Sequence, residues 1–159
     1  MTITAVALLK TLHIVSSTVL FGTGIGTAFH MWMTHLRGNV PAIAVTARNV
    51  VLADWLFTAT SGVVQPATGF ALVWAAGYAI TESWLVVTYI LYVVAGACWI
   101  AVVRLQIDVA RIAARSVAEG TPLPPAYHRA MRAWFALGWP AFIGLALVFW
   151  LMVERPVLW

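Results

Sequence analysis

The sequence has few charged residues and only one cysteine. Charged side chains make up 9% of its 159 residues, whereas soluble domains carry about 25%. Apolar residues reach 63%, too many for a water-soluble chain of this length to bury, so the lipid bilayer is the expected solvent. Cys98 stands alone in an apolar run. An internal disulfide is therefore excluded, and this side chain is interpreted as a small packing residue.

Several functional signatures are also missing. The sequence contains no Cys-x-x-Cys-His motif, which excludes covalently attached c-type haem, and no phosphate-binding loop or zinc-protease helix. The net charge is +4, but the basic residues lie at the ends of apolar segments, so no nucleic-acid partner is expected. The first segment lacks a basic leader and a cleavage site, which predicts a retained helix rather than a signal peptide.

Four apolar segments are each long enough to cross a bilayer, which takes about 20 helical residues. They predict an all-α, polytopic membrane protein folded as a four-transmembrane-helix bundle. One transmembrane domain, residues 1–159, is expected, with helices at about 3–33, 49–78, 83–118 and 129–153. Gly38, Asn39 and Pro41 are interpreted as breakers between the first two helices.

The basic residues predict the orientation of the bundle. The regions that join helices 1 to 2 and 3 to 4 contain seven of the nine Lys and Arg residues: Arg37, Arg48, Arg104, Arg111, Arg115, Arg129 and Arg132. The short turn between helices 2 and 3 contains none. The positive-inside rule therefore places both basic regions in the cytoplasm and both termini outside.

The first predicted helix carries a polar face at Lys10, His13 and Ser17. A histidine inside a membrane span is uncommon and usually faces the bundle interior. Its neutral ring can bind haem iron or relay a proton, although it can equally be a hydrogen-bonded packing residue. Gly22 and Gly24 lie lower on this helix, where they allow either close helix packing or room for a flat cofactor.

The second predicted helix carries one polar stripe, with steps of four, three, four and three residues: Asp54, Thr58, Ser61, Gln65 and Thr68. In lipid such a stripe must face inward and find partners. Asp54 is the only acid well inside a span, and Arg104 is its expected counter-ion, with Arg48 as the second choice. Pro66 permits a kink beside Gln65.

Three further histidines, His30, His35 and His128, lie at the cytoplasmic ends of the predicted helices. His30 is 17 residues from His13, which is about 25 Å along a helix. These histidines therefore cannot share one haem with His13. They are interpreted as surface residues, with a second haem at this end as the alternative.

Blocks along nearly the whole sequence resemble a bacterial family of small predicted integral membrane proteins of unknown function. The resemblance rests on residues 9–17 with 20–24, Asp54-Trp55-Leu56-Phe57-Thr58, Gln65-Pro66-x-Thr68-Gly69, Leu123-Pro124-Pro125-x-Tyr127-His128, Trp139-Pro140-Ala141-Phe142 and Leu151-Met152-Val153. It implies the four-helix fold and a multi-pass location in the bacterial inner membrane.

The opening of helix 1 is also similar to that of HemJ-type protoporphyrinogen IX oxidases, small four-helix membrane haem proteins. The similarity lies in the sequence Lys10-x-x-His13-Ile14. It implies that His13 is an axial ligand of haem b and that Lys10 is functional. Met152 is the first choice for a second axial ligand, and Gln65 is a poorer donor.

These observations favour a b-type haem-binding or quinone-linked redox membrane protein, for which oxidoreductase activity is one consequence. A membrane redox partner or quinone is then expected besides the lipid bilayer. The alternatives are a non-catalytic accessory subunit of a larger membrane complex and a small transporter that uses the Asp54 stripe. Homo- or hetero-oligomers are compatible with each hypothesis.

Overall fold

The computed structural model describes residues 2–159, which form helices and contain no strand. The helices are α1 (Ile3–Arg37), α2 (Val40–Ala53), α3 (Ala59–Ala76), α4 (Ser83–Glu119) and α5 (Pro125–Glu154). A single π-helical turn, Asp54–Thr58, joins α2 to α3, so that residues 40–76 form one continuous helix. The four resulting long helices are all apolar enough to cross a membrane. The predicted all-α, four-transmembrane-helix fold is confirmed.

The second long helix begins at Val40, nine residues before the predicted start at position 49. The side chain of Asn39 accepts a hydrogen bond from the backbone N–H of Ala42 at 2.9 Å and so caps this helix. Pro41 lies in the first turn, where a missing N–H costs nothing. Of the three, only Gly38, whose φ is 67°, interrupts the helix. Two of the three expected breakers are therefore helix-starting residues.

The long helices exceed the thickness of a bilayer. Helix α4 has 37 residues, which is about 55 Å, against a hydrocarbon core of about 30 Å. We call the end that contains the α1–α2 and α4–α5 connections the basic end, and the opposite end the terminal end. A compact core fills the basic end: Met31, Ile43, Ala47, Val50, Val109, Ala113, Tyr127, Met131 and Trp134.

Towards the terminal end the helices pack mainly in pairs, α1 against α3 and α4 against α5. A second, smaller apolar cluster lies there, formed by Val73, Trp84, Leu85 and Leu151. The C-terminal segment folds back onto it, since the backbone N–H of Leu158 donates to the Ser83 hydroxyl at 2.9 Å. The separation of the two pairs leaves space between the compact ends of the bundle.

Candidate functional site

A cavity of about 840 Å³ lies between the four long helices. Its walls are mainly apolar and aromatic, and their aromatic residues are Phe29, Trp32, Tyr92, Trp99, Trp134, Phe135, Trp139 and Phe142. Its polar residues gather towards the basic end, where Asp54, Thr58 and Gln106 lie beside Trp134. We call these four residues the polar floor. A large apolar pocket with a few convergent polar groups is typical of a small-molecule site.

The polar floor is a continuous chain of hydrogen bonds. The Thr58 hydroxyl donates to Asp54 Oδ1 at 2.8 Å, and the Gln106 amide donates to Asp54 Oδ2 at 2.5 Å. The Trp134 indole N–H donates to Gln106 Oε1 at 3.2 Å. All four residues are buried. These hydrogen bonds therefore link three long helices through buried side chains.

The direction of this chain is fixed by Trp134. An indole N–H can only donate, so the amide oxygen of Gln106 must face it. The amide nitrogen of Gln106 then faces Asp54, whose Oδ2 must accept. The opposite carboxyl oxygen, Oδ1, accepts from the Thr58 hydroxyl. The order of donors thus distinguishes the two oxygens of one carboxyl group.

The expected ion pair between Asp54 and Arg104 is wrong. Within residues 2–159 the one ion pair joins Arg111 to Asp108 at 2.9 Å. Arg104 is exposed, and it lies two positions from Gln106 on α4, so the two side chains leave the helix on nearly opposite sides. Arg48, the second choice, is also exposed. The partners of the buried carboxyl are neutral.

The π-helical turn places Asp54 and Thr58 in the floor. Both are buried at spacing i, i+4, whereas Trp55, Leu56 and Phe57 between them are exposed. A π turn contains one residue more than an α turn and therefore offsets the helix that follows it. Such turns often occur at functional sites.

The polar stripe divides between two places. All five of its residues are buried, but only Asp54 and Thr58 line the cavity. The Gln65 amide instead donates to the Ser16 hydroxyl at 2.6 Å and to the His13 carbonyl at 2.7 Å. These bonds fasten α3 to α1, which satisfies the polar groups that lipid cannot.

His13 lies beside this α1–α3 contact. Its Nδ1 is 2.7 Å from Thr68 Oγ1, and its Cε1 lies 3.4 Å from where a Cβ on Gly69 would be. If Nδ1 carries the proton, Nε2 is the nitrogen left for a ligand, as is common in metal-binding histidines. The donor chemistry at His13 therefore fits one axial ligand of a haem.

Of the other expected haem-binding residues, Gln65 contacts His13, through the backbone carbonyl of His13 and not through its ring. Lys10 is exposed, Gln65 is engaged with α1, and Met152 packs in the terminal-end cluster. None of these four residues lines the cavity, and its walls contain no histidine or methionine. Among residues 2–159 the cavity therefore offers no histidine, methionine or cysteine ligand to a haem iron.

The family comparison supports the fold that surrounds the cavity. A family model described as predicted integral membrane protein (DUF2269) matches residues 7–156. The chain belongs to this DUF2269 family. The resemblance to a family of small integral membrane proteins is therefore confirmed, and the match spans every residue of the polar floor. No curated protein and no solved structure matches the chain.

The remaining histidines of this DUF2269 protein lie at the basic end. His35 Nδ1 is 3.0 Å from the Tyr127 hydroxyl, and the rings of His35 and His128 are 6.0 Å apart. His30 Nε2 is 3.5 Å from Thr46 Oγ1. Residues 2–159 hold no group of three or more His, Cys, Asp or Glu side chains that could bind one metal ion.

The sequence reasoning missed the contribution of α4 to the cavity. Tyr92, Trp99 and Gln106 recur every seven residues and all line it. The Tyr92 hydroxyl donates to the Gly62 carbonyl at 2.6 Å. The Trp99 indole N–H is buried and has no hydrogen-bond partner within residues 2–159. The seven-residue spacing, which returns to one helix face, was the signal that could have identified them.

Proposed function

We propose that this DUF2269 protein is a quinone-linked redox membrane protein that binds a quinone in its central cavity. The observation that carries this proposal is the polar floor, a buried carboxyl with neutral partners at one end of an apolar, aromatic-walled cavity. An ionisable residue inside a membrane protein usually marks a ligand or proton path. The cavity volume of about 840 Å³ suits a ligand of the size of a quinone.

The positions of the polar groups favour a quinone over a purely apolar ligand. Trp99 and Gln106 are seven residues apart on α4, which is about 10 Å along the helix. A quinone presents oxygen atoms on two opposite edges of a flat ring. One oxygen can meet the floor at Asp54, while the other lies towards the ring of Trp99 on the cavity wall. The aromatic walls can stack on the ring between them.

The residues of the chain would orient the ring and handle a proton. A bound quinone supplies two-electron, two-proton redox chemistry. The ring of Trp99 would pack against one edge of the quinone from the cavity wall. Asp54 Oδ1 would exchange a proton with the opposite edge, while Gln106 holds Oδ2 as an acceptor. The apolar walls would exclude water from this exchange.

A second candidate function is that of a b-type haem protein with His13 as an axial ligand. The observation that favours it is the 2.7 Å contact between His13 Nδ1 and Thr68 Oγ1, which leaves Nε2 for iron. Such a haem would lie outside the cavity. His13 would hold the iron, while Met152 packs against the apolar cluster at the terminal end and Gln65 is hydrogen-bonded to α1.

A cavity-filling substitution tests the quinone proposal. A Cβ on Gly96 would meet nothing within 4 Å, and Gly96 lines the cavity. Gly96→Leu is therefore expected to fold, because leucine is also the better helix former, yet to occupy ligand space. We expect the Kd for decylubiquinone to rise at least about tenfold, which is about 1.4 kcal/mol. Quenching of tryptophan fluorescence in mild detergent measures it, since Trp99 and Trp134 line the cavity.

Gly22→Leu is the matched control. A Cβ on Gly22 also meets nothing within 4 Å, and this residue lies outside the cavity lining. Its quinone affinity should match that of the wild type. Wild-type protein that fails to bind quinones, or equal effects of the two substitutions, would contradict the proposal. An accessory-subunit role would then fit the absence of a ligand, and transport assays in vesicles would examine the transporter alternative.

We also propose that both termini face outward from the bacterial inner membrane. The charge asymmetry supports this, because the basic end contains seven of the nine Lys and Arg residues. In a Cys98→Ala background, Glu82→Cys should react with a membrane-impermeant maleimide added outside intact cells. Arg115→Cys should react only after the cells are opened. The reverse pattern would refute this orientation.

A further inference from the structure

The gap between α3 and α4 is framed by two hydrogen bonds. Towards the terminal end the Tyr92 hydroxyl donates to the Gly62 carbonyl at 2.6 Å. Towards the basic end the Gln106 amide donates to Asp54 Oδ2 at 2.5 Å. Tyr92 and Gln106 are 14 residues apart on α4, which is about 21 Å along the helix. Gly62 and Asp54 are eight residues apart, which is about 12 Å, so the frame is longer along α4 than along the helix opposite.

Within this frame the edges are small. Ala59 lines the cavity from α3, and Ala95 and Gly96 line it from α4. A Cβ on Gly96 would meet nothing within 4 Å, and one on Gly62 would meet only the Tyr92 hydroxyl at 3.9 Å. No bulky ring bridges the two helices between the hydrogen bonds, apart from Trp99 at the cavity wall itself. The gap thus has room for a larger side chain at Gly62 and Gly96.

The opposite gap, between α1 and α5, is bridged by rings, although Phe29 and Trp139 line the cavity there and are 66% and 68% exposed. Trp32 packs edge-on against Phe135 with centroids 4.3 Å apart, and Phe21 packs against Phe142 with centroids 5.8 Å apart. A Cβ on Gly24 would lie only 3.2 Å from the Phe142 ring. Small residues line the cavity from α1 and α5 as well, but in this gap aromatic side chains of the two helices meet at the cavity wall, so the two gaps differ.

The cavity reaches the lipid-facing surface at the α3–α4 gap. Val63 of α3 and Ile100 of α4 both line the cavity, yet they are 71% and 52% exposed. An aliphatic residue that belongs to both surfaces marks continuity between them. A hydrocarbon chain lying across these residues would replace lipid contacts with equivalent apolar contacts.

We infer that the α3–α4 gap is a lateral portal, and that the ligand is a quinone with a hydrocarbon tail that lies in this portal and extends into the bilayer. The inference rests on the proposed function and specifies its substrate class. The ring lies between Trp99 and the polar floor, and the tail leaves over Val63 and Ile100. A small water-soluble quinone lacks the hydrocarbon tail that the portal accommodates.

The test compares a tailed and a tailless ring on two matched variants. Val63→Trp places a bulky ring at the portal. The control, Val93→Trp, places the same ring on α4 outside the cavity lining. Val63 and Val93 are equally exposed, at 71% and 70%. The probes are decylubiquinone and ubiquinone-0. Equilibrium dialysis with the protein in nanodiscs measures both affinities, and this readout does not depend on tryptophan fluorescence. Thermal unfolding confirms that each variant is folded.

We expect wild type to bind decylubiquinone at least tenfold more tightly than ubiquinone-0, after correction for partition into lipid. Val63→Trp should weaken decylubiquinone at least fivefold and change ubiquinone-0 less than twofold, while Val93→Trp changes neither. Equal effects of Val63→Trp on both probes, or none on either, overturn the portal and leave the proposed function standing. Failure of wild type to bind either probe overturns both.

Discussion

Asp54→Asn is expected to destabilise this protein by about 1–3 kcal/mol and to reduce quinone affinity at least tenfold. With its amide oxygen towards Gln106, Asn would place its amide nitrogen against the Thr58 hydroxyl, which donates to Asp54 in the wild type, so that two donors meet there. The opposite orientation of Asn would require Gln106 to turn over, and its nitrogen would then face the donor-only indole of Trp134. Thermal unfolding in detergent and quinone titration measure the two effects.

Two second-site changes separate the hydrogen-bond order from the carboxyl itself. Gln106→Glu added to Asp54→Asn restores an acceptor for both Trp134 and Asn at position 54, and moves the carboxyl onto α4. Trp134→Phe added to Asp54→Asn frees Gln106 to turn over. Both double variants should recover stability. Full quinone affinity should not return with Trp134→Phe, since no carboxyl remains. An Asp54→Asn protein as stable as the wild type would show that the donor order is not fixed.

His13→Ala is expected to abolish the haem spectrum if the second candidate function holds. Wild type expressed with haem precursor should then show a Soret band that shifts on reduction with dithionite. The substitution removes the one axial donor that the site supplies, so the loss should be complete rather than partial. Absorption spectra of protein purified in mild detergent, with haem content per chain, measure it.

His128→Ala is the matched control, because this residue is exposed at the basic end, far from the α1–α3 contact. It should leave the spectrum unchanged. A colourless wild type, or His13→Ala with full haem content, rules out the haem function. The quinone proposal would be unaffected, because no residue of the polar floor contacts His13.

The fold could be predicted from the sequence because the bilayer imposes simple requirements. Each span needs about 20 apolar residues and internal backbone hydrogen bonds, and hydropathy reports both. The inward face of the second helix also followed from spacing alone, and Asp54, Ser61 and Thr68 are all buried. Periodicity identifies which residues face the interior of the bundle, but it does not identify their partners.

The partners could not be predicted in the same way. Depth in the membrane suggested Arg104 for Asp54, but rotation about α4 decides the pairing, and it presents Gln106 instead. The cavity depends on how far two helix pairs separate, which no single helix encodes. Residues Asn39 and Pro41 were misassigned because the same residue types break helices and begin them.

The π-helical turn sets the rotational phase of everything that follows it in α3. If the same residues formed a regular α turn, every later side chain would lie about 100° further round the helix and about 1.5 Å along it. Gln65 and Thr68 would then point away from Ser16 and His13, although each kept its place in the polar spacing. The extra residue of the π turn thus lets one helix contact the polar floor on one side and α1 on the other. Deleting one residue here would turn the π turn into an α turn and keep the later side chains in phase, so it should be tolerated better than a deletion within Ala59–Ala76.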